Sequence, residues 1–180
     1  PPELGEKNLL FVPARGGLGH DVNNQASTIS AIMASKTNSR HQVFYVPDQV
    51  SSEIYESFIK EPLVFEMLSL IKSADIVLHG IGDAITMAER RSTSPEVLDK
   101  IINENAVGEA FGYYFNEAGE IVHKVQTIGI QLTDLNEADL VIAVAGGASK
   151  AKAIRAYMKQ APDSTILVTD EGAARILVQG

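Results

Sequence analysis

Arg15 stands in a glycine-rich turn, Arg15-Gly16-Gly17-Leu18-Gly19, and Lys150 closes a second, Gly146-Gly147-Ala148-Ser149-Lys150. Glycines let a backbone approach a ligand closely, and a turn that opens a helix offers free N–H groups and a favourable dipole to an anion. A guanidinium can hold phosphate oxygens through a bidentate fork and an ammonium as a point charge, each charged hydrogen bond contributing about 1.5–3 kcal/mol. Arg90 and Arg91 follow a third such turn, Gly80-Ile81-Gly82-Asp83, by one short helical stretch, and a fourth turn reads Thr169-Asp170-Glu171-Gly172. The shared chemistry is anion binding, with room for two phosphate groups. The plainer reading is that these are tight strand-to-helix connections bearing solvated charges. Neither standard nucleotide fingerprint fits: Val22 stands where the dinucleotide pattern needs its last glycine, and Gly-Lys-Ser/Thr occurs nowhere.

Other chemistries are weaker. General acid–base catalysis would draw on Asp83, Glu109, Asp170 or Glu171, each of which also reads as a helix N-terminal acid or an acceptor for ligand hydroxyls. His20, His41, His79 and His123 are scattered without metal-ligand spacing, and the chain has no cysteine, so no metal site and no cofactor is expected.

The elements that must position these turns alternate between strand and helix. Leu9–Val12 is a short apolar strand stopped by Pro13, followed by a helix from residue 22 to about 35 with Val22, Ala26, Ile29 and Met33 at helical spacing. His41–Val46 reads as a second strand. Ser51 or Ser52 caps a helix bearing Ile54, Tyr55 and Phe58, and Pro62 opens another bearing Leu63, Met67, Leu70 and Ile71, all expected in the core. Asp75–Gly80 is a third strand. Ser94-Pro95 starts a further helix, Phe111–Phe115 and Ile121–Val125 form a hairpin around Asn116-Glu117-Ala118-Gly119, and Gln126–Leu132 extends that β region. Asp139–Ala145 is the cleanest buried strand, and Thr165–Val168 is the last. This order predicts an α/β fold: a mostly parallel, Rossmann-like sheet with helices on both faces and the glycine turns at the strands' C-terminal ends, where such sheets bind ligands.

Composition sets the bounds. The 180 residues suit one domain, and no apolar run reaches the roughly 20 residues a membrane span requires. With 15 basic against 23 acidic residues the net charge is −8, which argues against a nucleic-acid face on this segment but leaves small anions open, because exposed charges are screened over about 8 Å. The start at Pro1-Pro2 reads as that of a piece of a longer chain, and the absence of cysteine and of any secretory signal fits a cytoplasmic protein.

Six strings, LFVPARGGLG (10–19), HGIGDAITMAERR (79–91), EAFGYYFN (109–116), VHKV (122–125), VAGGASKA (144–151) and LVTDEGAA (167–174), resemble the effector-binding domain of SorC-type bacterial transcriptional regulators, over essentially the whole chain. The resemblance implies a fold similar to the sugar-phosphate isomerases and deaminases, put to sensing a phosphorylated sugar without converting it. For the branch that governs glycolytic genes, the implied effector is fructose-1,6-bisphosphate. Carried over by motif, the implied contacts are Arg15, Arg90, Arg91 and Lys150 for phosphate, Gln25 for either phosphate or sugar, and Glu109 for sugar hydroxyls. Gln25 could equally be solvated on a polar helix face, and one of the adjacent Arg90 and Arg91 is expected to face outward or pair with an acid. In that family a first phosphate-gripping strand and turn, and the DNA-binding domain, lie upstream of the stretch matching Leu9. Residues 1–180 would then be an effector domain lacking both, within a homo-oligomeric regulator that touches operator DNA only through the missing part.

Overall fold

The computed structural model describes residues 8–18, 23 and 25–179. It falls into two units, Pro1–Ser73 with Gln126–Ile130, and Ala74–Val125 with Gln131–Gly180. Among the described residues no helix is long and apolar enough to cross a membrane.

In the first unit, β1 (Leu10–Phe11) pairs in parallel with β2 (Arg40–His41), and α1 (Ala26–Lys36) packs on both. Residues 19–22, with the start expected for that helix, lie outside the described residues. The predicted second strand is far shorter than His41–Val46. Beyond His41 the chain keeps only single backbone bonds, Gln42 N–H to Phe11 O and Gly17 N–H to Val46 O, and Val43 and Tyr45 are exposed. Then follow α2 (Ser52–Phe58) and α3 (Pro62–Lys72), the latter with proline at its first position as expected. Their cores differ from the prediction: Val64 and Ile71, seven residues apart on one stripe, are buried, whereas Leu63 and Ile54 are exposed. Gln126–Leu132 is not a strand. Gly129 forms an isolated bridge with Arg15, and its neighbours spend their backbone groups on the Arg15 turn.

The second unit carries the parallel ladder β3 (Ile76–Gly80), β8 (Leu140–Val144) and β9 (Thr165–Val168), with β8 in the centre. The apolar run of residues 140–144 suits that place, where the strand is paired along both edges. Val77, Val141 and Ala143 are buried on one face, while Ile76, Leu78, Val144, Ile166 and Val168 are exposed on the other. Between β3 and β8 the chain makes an excursion: β4 (Gly82–Asp83), α4 (Ala84–Arg90), α5 (Pro95–Asn103), β5 (Ala106–Ala110), β6 (Tyr113–Asn116) and β7 (Ile121–Lys124). Strands β4 to β7 form an antiparallel sheet in sequence order, with the expected hairpin as its β6–β7 arm. After β8 come α6 (Ala151–Met158), packed on β5 and β6, and α7 (Glu171–Leu177), packed on α6. The α/β class, the parallel sheet and the flanking helices are as the sequence predicts.

Candidate functional site

Three of the four glycine turns leave the C-terminal ends of β3, β8 and β9, so they share one edge of the parallel ladder in the second unit. Two side chains tie that edge together. Asp170 caps α7, its Oδ1 accepting from Ala173 N–H at 2.9 Å, while its Oδ2 accepts from Gly147 N–H at 2.7 Å in the preceding turn. Lys150 reaches from the β8 turn to the β3 turn and donates from Nζ to Ile81 O at 3.0 Å. Gly147 takes φ +95, a conformation that favours glycine, and directs its N–H to Asp170.

Glu109 lies on the strand next to that loop. It pairs with Gly82 across β4–β5 and with Tyr114 across β5–β6. Although only 3 % exposed, its carboxylate is well supplied: Oε1 accepts from Arg91 Nη2 at 3.0 Å and from Gly112 N–H at 2.5 Å. Its second oxygen, Oε2, lies beside Gly82, where an added Cβ would come within 3.4 Å of it. Lys150 and Glu109 are thus anchored to consecutive residues, Ile81 and Gly82. A fixed cation and a carboxylate meet at one loop on the C-terminal edge of the parallel ladder, the edge at which sheets of this kind bind ligands.

Arg90 and Arg91 part company at the end of α4. Arg90 is exposed and has no ion pair among the described residues, whereas the Arg91 side chain is 1 % exposed and pairs with Glu109. The expectation that one of the two would meet an acid is met by Arg91.

In the first unit Arg15 is neither solvated nor bare. Its Nε donates to Asp48 Oδ1 at 2.5 Å, and Asp48 is 3 % exposed. The turn around it is woven by backbone bonds: Gly16 N–H to Ile128 O at 2.9 Å, Ile128 N–H to Asp48 O at 2.8 Å, and Asp48 N–H to Gly17 O at 2.8 Å. A Cβ at Gly16 would collide with the Pro47 carbonyl, which explains the glycine. Gln25 braces the same turn from the start of α1: its Oε1 accepts from Leu18 N–H at 3.1 Å and its Nε2 donates to Leu18 O at 2.9 Å.

The remaining acids have structural partners. Asp83 caps α4 through Thr86 N–H at 2.9 Å, and Glu171 pairs with Arg175 one helical turn on. Among the described residues no cluster of three His, Asp or Glu is placed to hold a metal ion. A wide groove of about 730 Å³, lined in part by Ile85, Ile102, Asn105, Asn116 and Lys152, contains none of the candidate residues.

Sequence reading missed His79. Its Nδ1 lies 3.1 Å from Gly80 O, which can only accept, so that nitrogen carries the proton and Nε2 accepts from Tyr157 OH at 2.9 Å. Burial holds the His79 pKa below its usual value, against the opposing bond to Gly80, and pushes the Tyr157 hydroxyl up to about 12. Both groups are neutral at physiological pH. They fasten the end of β3 to α6, and a lone histidine at a strand end carries no sequence signal for that.

Against this geometry the comparisons with known proteins fall into place. The family model described as "Putative sugar-binding domain" matches residues 2–179. The chain belongs to the SorC-type sugar-binding domain family. This sugar-binding domain is 62 % identical over 178 residues to the central glycolytic genes regulator of Priestia megaterium, and 56 % identical to that of Bacillus subtilis. Each alignment covers 99 % of this chain and 52 % of the relative, so the chain spans about half the length of the curated relatives it matches. Among solved structures, the domain is 51 % identical to "the putative SorC family transcriptional regulator from Enterococcus faecalis", with a TM-score of 0.86 over 94 % of this chain and 68 % of that one.

Proposed function

We propose that this domain senses a phosphorylated sugar, fructose-1,6-bisphosphate in particular, on behalf of a cytoplasmic regulator of glycolytic genes. The observation that carries the reading is the pairing of Lys150 and Glu109 on consecutive residues of one strand-end loop. A sugar phosphate presents anionic oxygens to the first and hydroxyl donors to the second. The names of the relatives support the glycolytic assignment. The proposed phosphate contacts include Arg15, Arg90 and Lys150, with Glu109 accepting sugar hydroxyls and Gln25 bracing the Arg15 turn. The domain turns nothing over: Asp83, Asp170 and Glu171 are committed to helix caps and an ion pair, which leaves no positioned acid–base pair among them. Operator binding belongs to another part of the protein, and the effector acts on it through how subunits of a homo-oligomer pair, by binding the two arrangements with different affinity.

The test is thermal unfolding of the protein at its full natural length with fructose-1,6-bisphosphate and with fructose, the mixtures being followed by NMR. At a hundredfold excess over Kd, binding contributes about 2.7 kcal/mol, a rise of roughly 5–10 °C for a domain of this size. Fructose should leave the transition where it was and no product should form. Equal shifts with both sugars, or steady conversion of the phosphate, would defeat the proposal.

A further inference from the structure

We infer that His79 is a positioning residue for the effector: through Tyr157 and Phe111 it holds the end of β3 against α6, and so fixes the place of Lys150, and it does so only as a neutral imidazole. The inference rests on the reading that the domain binds a phosphorylated sugar.

Two ties join the same two elements. Lys150, the residue before α6, donates from Nζ to Ile81 O at 3.0 Å, just beyond the end of β3. Two helical turns further along α6, Tyr157 OH donates at 2.9 Å to Nε2 of His79, the residue before the last of β3. An ammonium has three donors, so Lys150 can keep Ile81 and still meet a phosphate, provided the spacing of β3 and α6 does not change. The second tie, made by a Tyr157 side chain on a residue only 1 % exposed, keeps that spacing.

The β5–β6 hairpin adds a third side. Ala110 pairs with Tyr113, so Phe111-Gly112 is a two-residue turn, at φ +54 and +90. Such a turn favours Asn, Asp or Gly at its first position, because φ is positive there and a bulky side chain is uncommon. Phenylalanine stands there with its ring centroid 4.7 Å from that of His79 and is 7 % exposed. The contact with His79 accounts for a residue that the turn itself does not favour.

The arrangement depends on the proton. Gly80 O accepts from Nδ1, so the acceptor that the ring offers Tyr157 is an unprotonated Nε2. A second proton sets a donor against the Tyr157 hydroxyl and a charge in an enclosed site with no acid to meet it. The charged groups on the elements packed around His79 are engaged elsewhere: Glu109 with Arg91, Arg155 with the Ile176 carbonyl, and Lys150 with Ile81. Across the ladder its register partner on β8 is Ala143. Burial accordingly lowers the His79 pKa. Protonation favours the loosened arrangement and the effector the fastened one, so by linkage the affinity falls as pH falls through the titration of His79.

The experiment is calorimetric titration of the full-length protein with fructose-1,6-bisphosphate from pH 7.5 to pH 5, each variant being compared with the unaltered protein at the same pH so that protonation of the ligand's phosphates cancels. At pH 7.5 Tyr157→Phe should weaken binding about 3- to 10-fold, the equivalent of one neutral hydrogen bond. Phe111→Asn, which suits the turn but removes the ring, should weaken it comparably. The gap between Tyr157→Phe and the unaltered protein should shrink at least twofold by pH 5, because the unaltered protein then loses the same bond to protonation. His79→Gln, which takes up no proton, should show a shallower fall in affinity with pH than the unaltered protein; should it fail to fold, Tyr157→Phe carries the test. Binding by Tyr157→Phe as tight as that of the unaltered protein at pH 7.5 would overturn the inference. So would a gap that stays constant down to pH 5, which is the mark of a merely structural contact. Failure of the unaltered protein to bind fructose-1,6-bisphosphate would instead remove the functional reading, and the inference with it.

Discussion

Replacing Asp170 by alanine should destabilise the second unit by about 2 kcal/mol, because a helix cap and a second hydrogen bond made by the same carboxylate are lost together. Its Oδ1 accepts the Ala173 N–H at the start of α7, and losing such a cap costs about 1 kcal/mol. Its Oδ2 accepts the Gly147 N–H in the turn after β8, and a bond of this kind at an exposed site contributes about 0.5–1.5 kcal/mol. Gly147 then loses the contact that orders its φ +95 conformation, so the turn leading to Lys150 should loosen as well. Asp170→Asn, which keeps one accepting oxygen, should lose about half as much. Thermal unfolding reads both: about 4–8 °C for alanine and half that for asparagine, at roughly 2–4 °C per kcal/mol for a chain of this length. Substitutions that break no structural contact stay within about 0.5 kcal/mol of the unaltered protein. If alanine falls in that range, or asparagine is as damaging as alanine, Asp170 does not join the two turns as described.

Three further outcomes are expected. His79 prefers its neutral form in the fold because burial lowers its pKa, so stability is fully present above the ordinary histidine value near 6.5 and declines as pH falls from there toward the lowered one. Urea unfolding from pH 7.5 to 5 should show this slope reduced in His79→Gln, with a remainder from His123, whose pKa is also lowered by burial and by Lys100; an unchanged slope would contradict it. Gly108→Ala should cost about 2 kcal/mol in chemical denaturation, because the added methyl would run into the Phe115 ring and come within 2.9 Å of Ala153 Cβ; a loss too small to measure would be inconsistent with that packing. Lys150→Ala should weaken sugar-phosphate binding about 10- to 100-fold, the equivalent of one charged hydrogen bond, with the apo melting temperature moving by no more than about 3 °C.

Much of the parallel layer was legible in the chain. DLVIAVA announces β8 by its unbroken apolar run, and Asn116–Gly119 announces the β6–β7 hairpin by its turn residues. What could not be read was set by partners distant in sequence. Ala106–Ala110 reads AVGEA and closes on Gly, Glu and Ala, all weak strand formers; it is a strand because Gly82 and Tyr114 flank Glu109 and because Phe115 packs where Gly108 has no side chain. His41–Val46 has the opposite history: its residue types suit a strand, but only Arg40 and His41 find a parallel partner. At the site, Arg15, Lys150 and the glycine turns were visible as cations beside strand ends. Glu109 was one of four candidate acids until the resemblance singled it out, and nothing in the pair Arg90-Arg91 tells which faces inward, since that depends on where α4 ends. The Asp48 partner of Arg15, 33 residues away, was equally invisible.

Whether the loop at Ile81 and Gly82, where Lys150 and Glu109 meet, holds a phosphorylated sugar is decided by a crystal structure of the full-length protein grown with fructose-1,6-bisphosphate. A phosphate is expected within hydrogen-bonding distance of Lys150 Nζ and a sugar hydroxyl on Glu109 Oε2. A sugar seated elsewhere, such as in the groove beside Ile85 and Lys152, would overturn that reading.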